Sequence, residues 1–168
     1  MKKFIVINGA MGVGKTSICK ELNKKLLNSV WLDGDWCMMM NPLNFTETNK
    51  KMFLDNIYHL LNNYLSNPSF EYVLFSWVIP REDMMNYIIK KLSDNGFELI
   101  RITLLCADDK LKERMIQAGR DDATIEQSMQ YQEAFRSINT IKVDTTELSV
   151  IVTVDEVLRI IKEYASIS

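Results

Sequence analysis

One segment leaves this chain few ways to fold around it. Gly9-Ala10-Met11-Gly12-Val13-Gly14-Lys15-Thr16 fits the phosphate-loop pattern G-x-x-x-x-G-K-[ST] without a gap. The apolar run Phe4-Ile5-Val6-Ile7 precedes it, and a helical pattern from Thr16 to Leu27 follows. A strand, a glycine turn and a helix N-terminus, in that order, are what such a loop requires. The glycines let backbone N–H groups converge on phosphate oxygens with no Cβ in the way. The helix N-terminus adds unpaired donors and a partial positive charge. Lys15 is expected to reach the outer phosphates, and the Thr16 hydroxyl to face Mg²⁺. Gly9, Met11, Gly12, Val13, Gly14, Lys15, Thr16 and Ser17 form the expected nucleotide-binding set. The alternative is a chance match in a glycine-rich turn, and the flanking strand and helix patterns weigh against it.

Short apolar runs then alternate with helical patterns, which predicts a parallel sheet with helices on both faces. Strands are expected at Lys3–Asn8, Ser29–Leu32, Tyr72–Trp77, Glu98–Leu105 and Thr140–Val143. Helices are expected after the glycine loop, over Thr48–Leu65, over Arg81–Ser93 ahead of Asn95-Gly96, and over Asp108–Ala118. Two more are expected from Thr124 and from Thr153, each read as the start of a capping box. At 168 residues a single domain over 1–168 is the economical expectation.

A net charge of -2 leaves no footprint for a polyanionic partner. No apolar run is long enough for a bilayer. Met1-Lys2-Lys3 runs directly into the first strand, so a signal peptide is not expected. Cys19, Cys37 and Cys106 are scattered and odd in number, which fits reduced thiols in a cytoplasmic protein. The expected partner is a small molecule rather than nucleic acid or membrane, with the chain a monomer or homodimer.

Trp31-Leu32-Asp33-Gly34-Asp35 closes the second strand. In a doubly wound sheet the carboxyl ends of strands face the ligand crevice. Two carboxylates beside a nucleotide-bound metal can divide the work. Asp33 would orient metal-bound water, and Asp35 would accept or hold the proton of an acceptor hydroxyl. The plain alternative is a polar turn, since Asp-Gly is a common turn pair.

With these residues the chain resembles the small P-loop kinases of metabolites and nucleotides, among them the shikimate, gluconate, adenylylsulfate and adenylate kinases and chloramphenicol phosphotransferase. The resemblance implies a three-layer α/β P-loop NTPase fold, a five-stranded parallel sheet of order 2-3-1-4-5 and a small lid over about 115–128. It implies ATP and Mg²⁺ as cofactors and γ-phosphoryl transfer to a hydroxyl or phosphate of a small acceptor. A non-catalytic ATP-binding module is the other reading of the same loop. GTP switches need an Asn-Lys-x-Asp motif, and Asn49-Lys50-Lys51-Met52 lacks the aspartate. The third strand run, Tyr72 to Trp77, ends in no carboxylate, unlike that of mechanical ATPases.

By the same resemblance Arg120 belongs on the transferring phosphoryl group and Arg114 on the adenine side. A guanidinium can fork onto two phosphate oxygens or stack on a base. Both could instead belong to a solvated helix. Arg81, after Pro80, partly matches the segment that clamps an acceptor phosphate; a pair with Glu82 or Asp83 is its alternative. Trp36 could line the acceptor pocket or belong to core or helix packing, and Trp77 could stack on an acceptor ring or cap the sheet.

Overall fold

A computed structural model describes residues 1–92 and 95–165. Strands β1 (Lys2–Gly9), β2 (Ser29–Asp33), β3 (Tyr72–Ser76), β4 (Phe97–Leu105) and β5 (Ile141–Asp144) form one parallel sheet of order β2-β3-β1-β4-β5. That is the order the resemblance implied. Helices α1 (Lys15–Lys25), α2 (Glu47–Ser66), α3 (Glu82–Leu92), α4 (Asp108–Gln117), α5 (Asp122–Ser137) and α6 (Val150–Ala165) connect or follow the strands.

The period of two in β1 divides the core. Ile5 and Ile7 point to one face, where α1, α4, α5 and α6 supply Leu22, Leu111, Phe135 and Val157. Phe4 and Val6 point to the other, onto Ile57 and Leu61 of α2 and Ile88 of α3. β1 is central, with Ile5 opposite Leu74 on one side and Ile100 on the other. Strands buried on both faces read as continuous apolar runs, which is why the sequence located them.

Element ends moved by a residue or two. β3 stops at Ser76, and Trp77 leaves the sheet. The predicted third helix included Ser93, which lies outside the described residues. Two predicted starts need correction. α5 is capped by Asp121, whose carboxylate accepts the Thr124 N–H at 2.9 Å and its hydroxyl at 2.9 Å. Thr124 is therefore already inside the helix, because a carboxylate in extended backbone geometry is available three residues earlier. α6 starts at Val150, one turn before Thr153. Thr153 is 1% exposed and bonds the Ser149 carbonyl at 3.0 Å. Its hydroxyl bonds back along its own helix instead of capping it.

The Asp33-Gly34-Asp35 turn continues as a 3₁₀ helix, Gly34–Met38, that the sequence pattern did not reveal. Gly34 is required by close approach, since a Cβ there would lie 2.4 Å from Trp77 Cγ. Gly34→Ala should therefore push Trp77 aside and cost about 1–3 kcal/mol, the range for overpacking. A thermal melt unchanged from wild type would show that Trp77 repacks freely.

Candidate active site

The crevice is assembled from the carboxyl ends of β1, β2 and β3. α1 begins at Lys15 with Gly14 in left-handed geometry as its N-cap and no side chain capping it. Thr46 caps α2 and Asp121 caps α5, whereas α4, preceded by Ala107, has no side-chain cap either. The first-turn donors of α1 carry no side-chain cap and follow directly on the glycine loop, a setting in which helix starts commonly hold anions. Lys15 Nζ folds back and donates to the carbonyls of Gly9 (3.0 Å) and Ala10 (2.8 Å). Burial lowers its pKa to about 8, although the nearby carboxylates of Asp35 and Asp33 pull it up.

β2 delivers Asp33, 7% exposed, to this same place. Asp33 Oδ2 accepts the Thr16 hydroxyl at 3.2 Å, and Oδ1 accepts the Asp35 N–H at 3.2 Å. One aspartate therefore links α1 to the turn that carries the other. Asp35 itself stays open at the mouth of the crevice. Partial burial and the Asp33 charge raise its pKa, against the charge of Lys15, a hydrogen bond from Trp77 and the charge of Arg120. Among the described residues no group of three or more His, Cys, Asp or Glu could hold a metal. That donor set still suits Mg²⁺, which is commonly held by one or two protein oxygens together with substrate phosphates. Thr16 and Asp33 are the residues that would hold it.

Arg114 reaches away from the Lys110–Glu113 pair on its own helix. It donates to the carbonyls of Thr145 (2.8 Å) and Thr146 (3.1 Å) and so ties α4 to the loop after β5. A cavity of about 320 Å³ opens here, lined by Gly12, Val13, Gly14, Arg114, Thr145 and Leu148 among others. The segment 115–128, expected as a lid, is the end of α4, a tight turn and the first half of α5. In that turn the N–H groups of Gly119 and Arg120 return to Ile116 (2.9 Å) and Met115 (3.0 Å), a Schellman motif with Gly119 at φ 69°. Arg120 stands exposed at its tip, its charge felt by Asp35.

Arg81 is 73% exposed, and its guanidinium is paired with Asp83 at 2.5 Å. The structure does not bring it to Lys15, Asp33 or Asp35. Trp36 is 52% exposed, its ring 4.7 Å from that of Trp31. Trp77 forms the wall under Gly34, and its indole is near enough to Asp35 to favour the ionised carboxylate.

The sequence patterns missed Asn8. It is 5% exposed, donates to the Ile79 carbonyl (2.8 Å) and accepts from the N–H groups of Ile79 (2.9 Å) and Gly9 (3.0 Å). It locks the start of the loop to the segment after β3. The available signal was a polar residue closing an otherwise apolar strand.

A family model described as an AAA domain matches residues 5–136. The chain belongs to the AAA domain family. Solved structures extend the likeness to the full fold. The tunicamycin resistance protein of Deinococcus radiodurans is similar over 96% of both chains, at TM-score 0.72 and 18% identity. A gluconokinase from Sinorhizobium meliloti covers 94% of this chain and 90% of its own, at TM-score 0.69 and 17% identity. A sugar kinase from Janibacter sp. HTCC2649 covers 95% and 94%, at TM-score 0.70 and 11% identity. No curated protein matches the sequence. Within the AAA domain family this chain carries the phosphate loop on β1 and its carboxylate pair on β2, with β3 between them. Among the described residues, no helix is long and apolar enough to cross a membrane.

Proposed function

We propose that this protein is a cytoplasmic ATP- and Mg²⁺-dependent kinase of a small molecule. The observation that carries the proposal is that Lys15, held on the Gly9 and Ala10 carbonyls, lies close enough to Asp33 and Asp35 for their charges to act on one another, while Thr16 bonds Asp33 directly. A cation for phosphates alone would make a binding module. A second carboxylate, raised in pKa and left open to solvent, is of use to an acceptor hydroxyl.

The roles follow from position. The α1 donors and Lys15 hold the β- and γ-phosphates. The metal, when bound with the nucleotide, would neutralise phosphate charge beside Thr16 and Asp33. Asp35 accepts the acceptor's hydroxyl proton as its oxygen bonds to the γ-phosphorus and the bond to the ADP oxygen breaks. Arg120 offers a guanidinium to the transferring group. Arg114 with the Thr145-Thr146 loop forms the wall for the base.

The test is ADP release from Mg·ATP across a panel of acceptors. Gluconate and tunicamycin head it because two structural neighbours carry those names. Nucleoside monophosphates, sugars, shikimate and hydroxyl-bearing antibiotics complete it. One acceptor that stimulates ADP release is the expected outcome. Tight ATP binding with a flat panel would favour a non-catalytic nucleotide module instead.

A further inference from the structure

Helix α5 presents two polar side chains where its inward stripe is otherwise apolar. Ser128 and Gln132 are both 0% exposed and, four residues apart, share one face. Ile125 and Phe135 on the same side belong to the core. Burying a hydroxyl or amide is unfavourable unless it is hydrogen-bonded. The Ser128 hydroxyl donates to the Met11 carbonyl at 2.8 Å, although the two residues lie 117 positions apart. The Gln132 amide donates to the Cys106 carbonyl, and its Oε1 has no partner among the described residues. Neither residue belongs to a sequence motif.

We propose that Ser128 is a positioning residue for polyphosphate binding: it sets the Met11–Gly12 peptide so that the Gly12 N–H faces the phosphate cradle. The inference rests on the nucleotide reading above. Asn41-Pro42 is the only cis peptide among the described residues, so Met11–Gly12 is trans. In a planar trans peptide the carbonyl and the N–H point in opposite directions. Ser128 draws the Met11 carbonyl toward α5, so the Gly12 N–H points away from α5, to the inside of the loop. Lys15 holds the two preceding carbonyls, those of Gly9 and Ala10. The Met11 carbonyl is held from outside the loop. The restraint matters because Gly12 sits at φ 81°. Glycine enters positive and negative φ with similar ease, so this peptide can turn over at little conformational cost. The same helix starts one residue after Asp121, next to Arg120. α5 thereby joins the cradle to the cation at the hairpin tip through one rigid element.

Tripolyphosphate is the probe, because it carries the phosphates without the base. Calorimetric titration of the full chain with tripolyphosphate and with adenosine would compare wild type, Ser128→Ala and Ser128→Thr. Ser128→Ala should weaken tripolyphosphate about five- to tenfold, the effect of one hydrogen bond to a ligand-bearing group. Adenosine binding should not change, and Ser128→Thr, which keeps the hydroxyl, should restore most of the loss. The ¹⁵N-labelled Gly12 amide should shift on tripolyphosphate addition in wild type and not in Ser128→Ala. If the alanine variant does not fold, Ser128→Cys keeps nearly the same volume with a poor donor and should show the same loss. Wild-type tripolyphosphate affinity in Ser128→Ala or Ser128→Cys would overturn the proposal, as would an equal loss for both ligands. Wild type that binds neither tripolyphosphate nor ATP would overturn the nucleotide reading itself, a distinct result.

Discussion

Lys15→Ala should lower kcat/KM for phosphoryl transfer about a thousandfold, the scale of removing one donor aimed at developing charge together with some of the binding. Nucleotide affinity should itself fall about ten- to hundredfold, since a hydrogen bond to a charged group contributes about 1.5–3 kcal/mol. Two causes act together. The variant loses the ammonium that meets the outer phosphates. It also loses the donor that ties Gly9 and Ala10 into the loop. Folding should not suffer in proportion. Burial holds the Lys15 pKa near about 8, below its ordinary 10.5. The folded state therefore disfavours the protonated form. That penalty is complete below pH 8, fades as pH rises from 8 to 10.5, and is absent from the alanine variant. A melt at pH 7 should show Lys15→Ala about as stable as wild type. ADP-release kinetics and nucleotide titration check the main effect. Unchanged kcat/KM would remove the glycine loop from the chemistry.

Asp35→Asn should lower kcat about 10²- to 10⁴-fold, the usual contribution of a positioned general base. Nucleotide affinity should stay within about twofold, as expected when a group acts on the transition state alone. The substitution is nearly isosteric. The backbone N–H of residue 35 remains on Asp33, so the turn keeps its shape. What is lost is the capacity to take a proton. Single-turnover measurements with the stimulating acceptor separate this from binding. Wild-type turnover would take Asp35 out of the mechanism, and a matching loss of ATP affinity would recast it as a nucleotide-site residue.

The site was partly legible because two of its pieces are local. A phosphate loop is contiguous and must sit between a strand and a helix, so Gly9 to Thr16 announced both its fold and its ligand class. Asp33 and Asp35 were legible as a pair because the strand before them is short and apolar. The arginines were not equally readable. Arg81 and Arg114 each sit beside an acidic neighbour in sequence, at Asp83 and Glu113. Only packing showed that Arg81 pairs with its neighbour while Arg114 crosses to Thr145 and Thr146. Helix starts failed for a similar reason. The boxes at Thr124 and Thr153 match a pattern, but a cap is decided by which side chain meets free N–H groups in extended backbone, and Asp121 does so first in α5.

The sequence by itself determined a strand–loop–helix phosphate site, an alternating α/β chain, and an aspartate pair at a strand end. Each depends on residues close together along the chain, where covalent geometry and side-chain period suffice. Tertiary structure alone decided that Thr16 meets Asp33, that Asn8 locks the loop to Ile79, that Trp77 packs against Gly34, and that Ser128 reaches Met11. Those contacts join distant segments. The polar ones form because a buried polar group must find a partner wherever the fold puts one, and no local pattern encodes where that is.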